Sequence, residues 1–379
     1  MPLPFFTTDD VLPAGDYLMT LEDIRNSHLV TGEGNPSETW DRDWRGRLVT
    51  NLSLLVRQLW QIGIDQVFVD GSFVENKDHP NDIDGYFETD TLRVVTGTLT
   101  QELNALDPYQ VWTWSHIMRR PDPNSAKLQL PMWHKYRVEL YPHYGQPAGI
   151  LDQYGNNLLF PAAFRKSRID HRPKGLFELS NRKSELYKRL RMLPTPSAAL
   201  QGSQKRPFFG ARHSPERRDM MIRNDTEYQS ARQRLDEDRD FAVQQKAALE
   251  AQGFTPEQVE RGLEATLSYH AQLAEEVDWY ERVRRREIAP LQNLTQIGRL
   301  LIGLRIANGL SQRELAERLC VAESQISRDE RNEYHGVTME RAQRVLDALG
   351  ETLNSFVAGA DIARIAAIKE EPAKELANS

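Results

Sequence analysis

Two aspartates one residue apart, Asp82 and Asp84, follow the pair Gly71-Ser72 after nine intervening residues. On an extended strand side chains alternate with period two, so Asp82 and Asp84 point the same way. Two carboxylates on one face opposite a Gly-Ser turn suit Mg²⁺ and a nucleoside triphosphate. The metal takes hard oxygen ligands. The phosphates need close backbone approach and N–H donors, which Gly71 permits and the Ser72 hydroxyl supplements. A third carboxylate, Glu139, stands in the apolar stretch Val138-Glu139-Leu140, and Lys77, Lys135 and Arg137 are candidates to neutralise phosphate charge.

The elements that must hold these residues can be read from spacing. Asp41 to Ile62 repeats Leu48, Leu52, Leu55, Leu59 and Ile62 at three and four, which predicts a helix. Strands are expected at Asp65 to Asp70, Asp82 to Glu88, Tyr136 to Tyr141, with Arg137 and Glu139 on one face, and Gly175 to Leu179. A further helix is expected from Leu92 to Leu106. Residues 1–180 thus read as an α+β domain, a mixed sheet with helices.

The rest of the chain is different. Residues 194–222 are rich in Pro, Gly, Ser and Arg without any period, which marks a boundary, with Phe208 and Phe209 placed to dock onto something. Residues 165–223 carry 16 Lys and Arg against five Asp and Glu, inside a chain of net charge −7. Such a connector, taken as a basic linker over 181–223, suits a polyanion, and otherwise reads as a solvated linker. Residues 224–292 predict a helical hairpin, broken at Gly253 and restarted by Thr255, Pro256 and Gln258. Its stripes are expected to close on each other or on a second copy, and they carry no chemistry; His270 reads as packed. Residues 293–357 predict short helices, with Ser311 and Thr338 as N-caps, and residues 358–379 form a tail. This region is all-α.

Bulk composition agrees with two or three domains in 379 residues. There is no apolar run long enough for a membrane span and no signal peptide in the given N-terminus. A single cysteine, Cys320, excludes an internal disulfide. A cytoplasmic protein is the simplest expectation.

Gly71-Ser72, Asp82-Ile83-Asp84 and the later Glu139 together resemble the core motif of polymerase-β-like nucleotidyltransferases. The resemblance implies in-line attack on an α-phosphate with two Mg²⁺ ions, held by Asp82 and Asp84 with Glu139 on the catalytic one. It places Gly71 and Ser72 on the β- and γ-phosphates, with Lys77 and Arg137 beside them. Glu139 stands where Asp is commoner. The opening Leu12-Pro13-Ala14-Gly15 with the Asp70–Gly85 segment looks like a bacterial group in toxin–antitoxin-like settings. Residues 304–336 resemble the Xre/Cro-like helix-turn-helix family. There Ser324, Gln325 and Arg328 would read base edges from the recognition helix, and Gln312 and Arg313 would touch phosphate. Arg305 and Glu330 match an ion pair between the first and third helices, and Cys320 stands where Gly is usual. Asn332, also often Gly in that family, tolerates a left-handed conformation. The hairpin and reader together look like antitoxin-type regulators.

These resemblances imply a fused toxin–antitoxin-like or phage-defence protein that transfers a nucleotide from an NTP to an RNA or protein acceptor. Its C-terminal half would restrain the enzyme or bind an operator, as a homodimer. The alternatives are a regulator with a degenerate nucleotide-binding domain and, less favoured because it leaves the DNA reader idle, an antibiotic-modifying enzyme.

Overall fold

The computed structural model describes residues 3–7, 10–34, 37–122, 127–151, 157–159, 175–179, 221–291 and 293–354. Most of the basic stretch, Phe208, Phe209 and the tail from 358 lie outside the described residues.

The N-terminal half is built on a five-stranded sheet. Its strands are β1 (Asp16–Met19), β2 (Val67–Asp70), β3 (Ile83–Glu88), β6 (Val138–His143) and β9 (Leu176–Leu179), in the order β1-β9-β2-β3-β6. Pairs β4 (Arg120–Pro121) with β5 (Leu128–Gln129), and β7 (Pro147–Leu151) with β8 (Asn157–Leu159), form two small ribbons. The strand β2 runs antiparallel to β3 and β9, while β3–β6 and β1–β9 are parallel. The sheet is therefore mixed, as expected.

Helices α1 (Leu21–Asn26), α2 (His28–Thr31) and α3 (Arg42–Gln61) precede β2. Asp41 caps α3 by accepting the Trp44 N–H, and the leucine stripe read from sequence is its buried face. The expected helix from Leu92 to Leu106 is two, α4 (Thr91–Val95) and α5 (Thr98–Leu106), because Gly97 at φ +78° turns the chain between them. A strand beginning at Tyr136 is also corrected. Helix α6 (Pro131–Tyr136) ends in a left-handed Arg137 at φ +54°, and β6 begins only at Val138. Arg137 therefore does not share a strand face with Glu139.

The C-terminal half is all-helical. Helices α7 (Asp225–Ala251) and α8 (Pro256–Arg284) form the hairpin, with the Thr255–Gln258 capping box and Gly253 at φ +82° between them. Helices α9 (Ile297–Ala307), α10 (Gln312–Leu319), α11 (Glu323–Arg331) and α12 (Met339–Leu349) complete it.

Helix α8 belongs to both halves. Ala265 and Tyr269 sit in the core of the sheet domain. Leu273, Val277, Tyr280 and Val283 sit in the core of the helical one, with Met221, Ile222 and the helices from α9 onward. The two helices of the hairpin pack on each other, and the second also serves as a beam shared by two cores. No described helix is long and apolar enough to cross a membrane.

Candidate functional site

The register puts the carboxylates together. Asp84 is the ladder partner of Asp70 on β2 and of Glu139 on β6. Paired residues on adjacent strands point to one face, so Asp70, Asp84 and Glu139 form an acidic row across three strands. Asp82 lies just before β3. Gly71, at φ +80°, lies against Asp84. A Cβ there would come 2.3 Å from Asp84 Oδ2 and 2.9 Å from its Cβ, so only glycine allows this approach. Ser72 begins a short 3₁₀ turn, Ser72–Val74, and is buried.

Protein donors already address two of the carboxylates. Trp133 Nε1 donates to Asp82 Oδ2 at 2.6 Å. Glu139 accepts from Leu130 N–H at 3.3 Å, Tyr141 Oη at 2.9 Å and Gln272 Nε2 at 2.7 Å. Gln272 comes from α8, so the helical half touches the acidic row directly. Sequence reasoning assigned the hairpin no chemistry. The available signal was Ser268, Gln272 and Glu276, a buried polar row at four-residue spacing on a helix otherwise read for its apolar stripe.

The cations divide. Arg137 stacks on Trp133, its guanidinium carbon 3.6 Å from the ring centroid. Desolvation lowers its pKa, opposed by Asp122 and Asp82, which places it beside the acidic row. Lys135 does not join it: its ammonium sits 3.4 Å over the Tyr109 ring. Lys77 is buried and pairs with Glu333 of the helical half at 3.6 Å.

The loop from Phe73 to Asn81 is pinned from two sides. Arg45 is fully buried on α3, under Trp40 at 3.9 Å. It donates to the carbonyls of Leu29 (2.7 Å), Phe73 (2.9 Å), Glu75 (3.2 Å) and Lys77 (2.5 Å). Desolvation pushes the Arg45 pKa down to about 9, against the pull of Asp78 and Asp41. Nothing in the sequence distinguished this arginine from a solvated helix residue.

From the other side comes the segment that follows α11. Asn332 Oδ1 accepts the Asp78 N–H at 3.0 Å, Asn81 Nδ2 donates to Glu333 at 3.2 Å, and Arg331 pairs with Asp10 at 2.7 Å. His335 stacks on His79, ring centroids 4.0 Å apart and 11° from parallel. The left-handed residues here are Glu333 (φ +48°) and Tyr334 (φ +54°), whereas Asn332 is not left-handed, at φ −81°. Desolvation alone would raise the Glu333 carboxyl; Lys77, then Lys127, Arg299 and Arg223, hold it well below the usual range.

The donors on the acidic row are hard oxygens, the type Mg²⁺ takes. They are not drawn to a single point. Among the described residues, one group of three or more His, Cys, Asp and Glu side chains has its ligand atoms all within 4.8 Å of one another, namely Asp41, His79 and His335.

The residues predicted to read DNA have a different setting. Ser311 caps α10 with a Glu314 capping box, and Cys320 is left-handed at φ +54°, as the turn requires. Arg305 Nη2 donates to Glu330 Oε2 at 2.7 Å in the buried pair expected between first and third helices. Gln312 turns its amide to the same Glu330 oxygen at 2.7 Å, and Arg313 pairs with Glu317 at 3.0 Å. Ser324, Gln325 and Arg328 are exposed on the outer face of α11.

No curated protein and no solved structure matches the chain significantly. Residues 4–180 match a family model described as "Family of unknown function (DUF6932)". Residues 302–356 match a family model described as helix-turn-helix. The four short helices and the buried Arg305–Glu330 pair agree with the helix-turn-helix match, which suggests a DNA-binding regulatory module in the C-terminal region, while residues 4–180 are similar to the DUF6932 family.

Proposed function

We propose that the N-terminal domain is a Mg²⁺-dependent nucleotidyltransferase whose acidic face is restrained by the DNA-reading half of the same chain. The observation that carries this reading is Asp84 paired in register with Glu139 while packed against Gly71 so closely that no side chain fits there. Asp82, Asp84 and Glu139 would hold the metal ions. Gly71 and Ser72 would meet the β- and γ-phosphates, with Lys77 and Arg137 neutralising charge. Bound Mg²⁺ would supply charge stabilisation on the attacking and leaving oxygens. The chain's own part is to orient: Arg45 fixes the loop beyond Ser72, and Trp133 and Tyr141 set the carboxylate rotamers.

Restraint follows from two contacts. Gln272 occupies an oxygen of Glu139, and Glu333 neutralises Lys77. A ligand that needs either group must displace a residue of the helical half.

Label transfer from each α-labelled NTP with Mg²⁺, with total RNA and cell lysate as acceptors, tests the reading. Transfer is expected from the Gln272→Ala/Glu333→Gln chain in excess of the unaltered chain, and none from the Asp82→Ala/Asp84→Ala chain. Equal label from all three would overturn it.

The second reading is a regulator whose N-terminal domain binds nucleotide without turnover. It is favoured by the donors already spent on Asp82 and Glu139. Nucleotide-dependent operator binding with no labelled product would establish it.

A further inference from the structure

Beside the acidic row sits a cluster of cations drawn from both halves. Lys77 lies on the loop beyond Ser72, Lys127 just before β5, and Arg299 on α9. They share two carboxylates, both from the helical half. Glu276 Oε1, on α8, lies 2.7 Å from Lys127 Nζ and 4.0 Å from Arg299 Nη1. Glu333 Oε1 lies 3.6 Å from Lys77 Nζ, and Lys127 and Arg299 add to the hold on its charge. Both carboxylates adjoin the row. Glu276 is one turn of α8 beyond Gln272, which reaches Glu139, and Glu333 accepts from Asn81, the neighbour of Asp82.

Arg299 is the informative member. Its guanidinium lies 4.5 Å over the Trp279 ring, which fixes its plane, yet its buried Nη1 has no hydrogen-bond partner among the described residues. A buried donor left unused is costly unless a ligand or water takes it. Glu333 is the member that reaches solvent: its side chain is 25% exposed, against 2% for Lys77. Moving Glu333 out leaves Lys77, Lys127 and Arg299 with Glu276 alone, a balance that suits an anion of more than one charge.

We propose that Lys77, Lys127 and Arg299 bind the polyphosphate tail of a nucleotide across the two halves, and that Glu333 fills this site in the docked form in place of a phosphate group. The helical half then does more than cover the acidic row. Through Arg299 it supplies part of the binding site, and through Glu333 it occupies that site. The planar fork of arginine can donate twice to a phosphate, while the ammonium groups act as point charges. Glu276 stays behind to hold Lys127 and Arg299 in place. The inference rests on the nucleotidyltransferase reading only for the nucleoside that carries the tail; binding of the tail needs no turnover.

The test titrates the full chain with tripolyphosphate in Mg²⁺-free buffer by calorimetry. One tripolyphosphate per chain is expected, with faster hydrogen exchange in residues 75–81 as Glu333 is displaced. Glu333→Gln removes the competing charge and keeps the shape, and should bind roughly tenfold more tightly. Arg299→Met keeps an unbranched side chain against Trp279 and should bind roughly tenfold more weakly, as should Lys127→Met, each with unchanged circular dichroism. A nucleoside triphosphate should displace tripolyphosphate, and the monophosphate should not. No binding by Glu333→Gln, or equal binding by the unaltered chain and both methionine variants, would overturn the proposal and leave water as the partner of Arg299. Equal competition by the monophosphate would also overturn it. Tripolyphosphate bound by a chain that transfers no label would support it and count against the transfer reading alone.

Discussion

The acidic row and the recognition face lie in one chain and are treated in opposite ways. The row on β2, β3 and β6 is covered: Gln272 reaches Glu139 and Glu333 reaches Lys77, while Asn332 binds Asp78 and Arg331 the Asn76 carbonyl of the adjoining loop. On α11, Ser324, Gln325 and Arg328 face outward. Covering costs desolvation unless every buried polar group finds a partner, and the contacts at Glu139 and Lys77 supply those partners. The exposed polar residues of α11 need no such partner, because water solvates them. The contrast teaches that docking of the two halves engages the C-terminal end of α11 and spares the exposed face of its first turns.

The contrast breaks most completely at the carboxylates. Asp82→Ala/Asp84→Ala should reduce label transfer by about 10³-fold or more, since a site without its ligands loses the charge stabilisation they place. Operator binding, followed by fluorescence anisotropy, should stay within twofold. Loss of both together would mean that the double change unfolds the chain. Next comes Arg45→Met. It strips four buried carbonyls of their donor and should cost at least about 3 kcal/mol in urea unfolding, with the loss in the sheet domain. A change below 1 kcal/mol would show that water replaces the guanidinium.

Gly298→Ala probes the contact from the other side. A Cβ there would fall 1.8 Å from the Glu333 carbonyl oxygen, so α9 or the Arg331–His335 segment must shift. A cost of about 1–3 kcal/mol is expected, with faster hydrogen exchange in residues 75–81 and more label transfer. Arg328→Ala should instead weaken operator binding by about 1–3 kcal/mol and leave the exchange of residues 75–81 unaltered. Altered exchange would deny that the two ends of α11 act separately.

The smallest expected effect is that of pH. Desolvation, then His335, pushes the His79 pKa down to about 4 against the pull of Asp41, and desolvation lowers His335. Both are below the ordinary value of 6.5, so the docked form holds them neutral. Their contribution is full above 6.5 and fades as pH falls toward 4. The groups facing His79 are Asp41, Lys77, Trp44 and His335. Protection of residues 75–81 should therefore drop between pH 6.5 and 4, and it should drop less in His335→Ala. Constant protection across that range would remove the histidines from the interface.

Much of this was legible in the sequence because it is local. The Ser311 and Thr338 caps, the Gly253 break and the Thr255 capping box depend on neighbours within a few residues. The alternation expected to set Asp82 and Asp84 on one strand reaches only Asp84, because β3 begins at Ile83. What stayed hidden depends on partners far along the chain. Gln272 meets Glu139 across 133 positions, and Asn332 meets Asp78 across 254. A glutamine on a helix carries no mark of the carboxylate it will find. Arg45 was hidden for the same reason: its four acceptors are backbone carbonyls, which every sequence has. Arg137 was misplaced because a strand pattern was extended two residues, through a left-handed turn and into the end of a helix.

Helix α11 spans nine residues, about 13.5 Å at 1.5 Å per residue. Its first turn carries the exposed Ser324 and Gln325, and the chain leaving its last turn holds Lys77 and His79. A rod this short is stiff, so whatever tilts one end tilts the other. Thermodynamic reciprocity then fixes a ratio. If an operator loosens the grip on the Lys77 loop by some factor, a ligand on that loop must change operator affinity by the same factor.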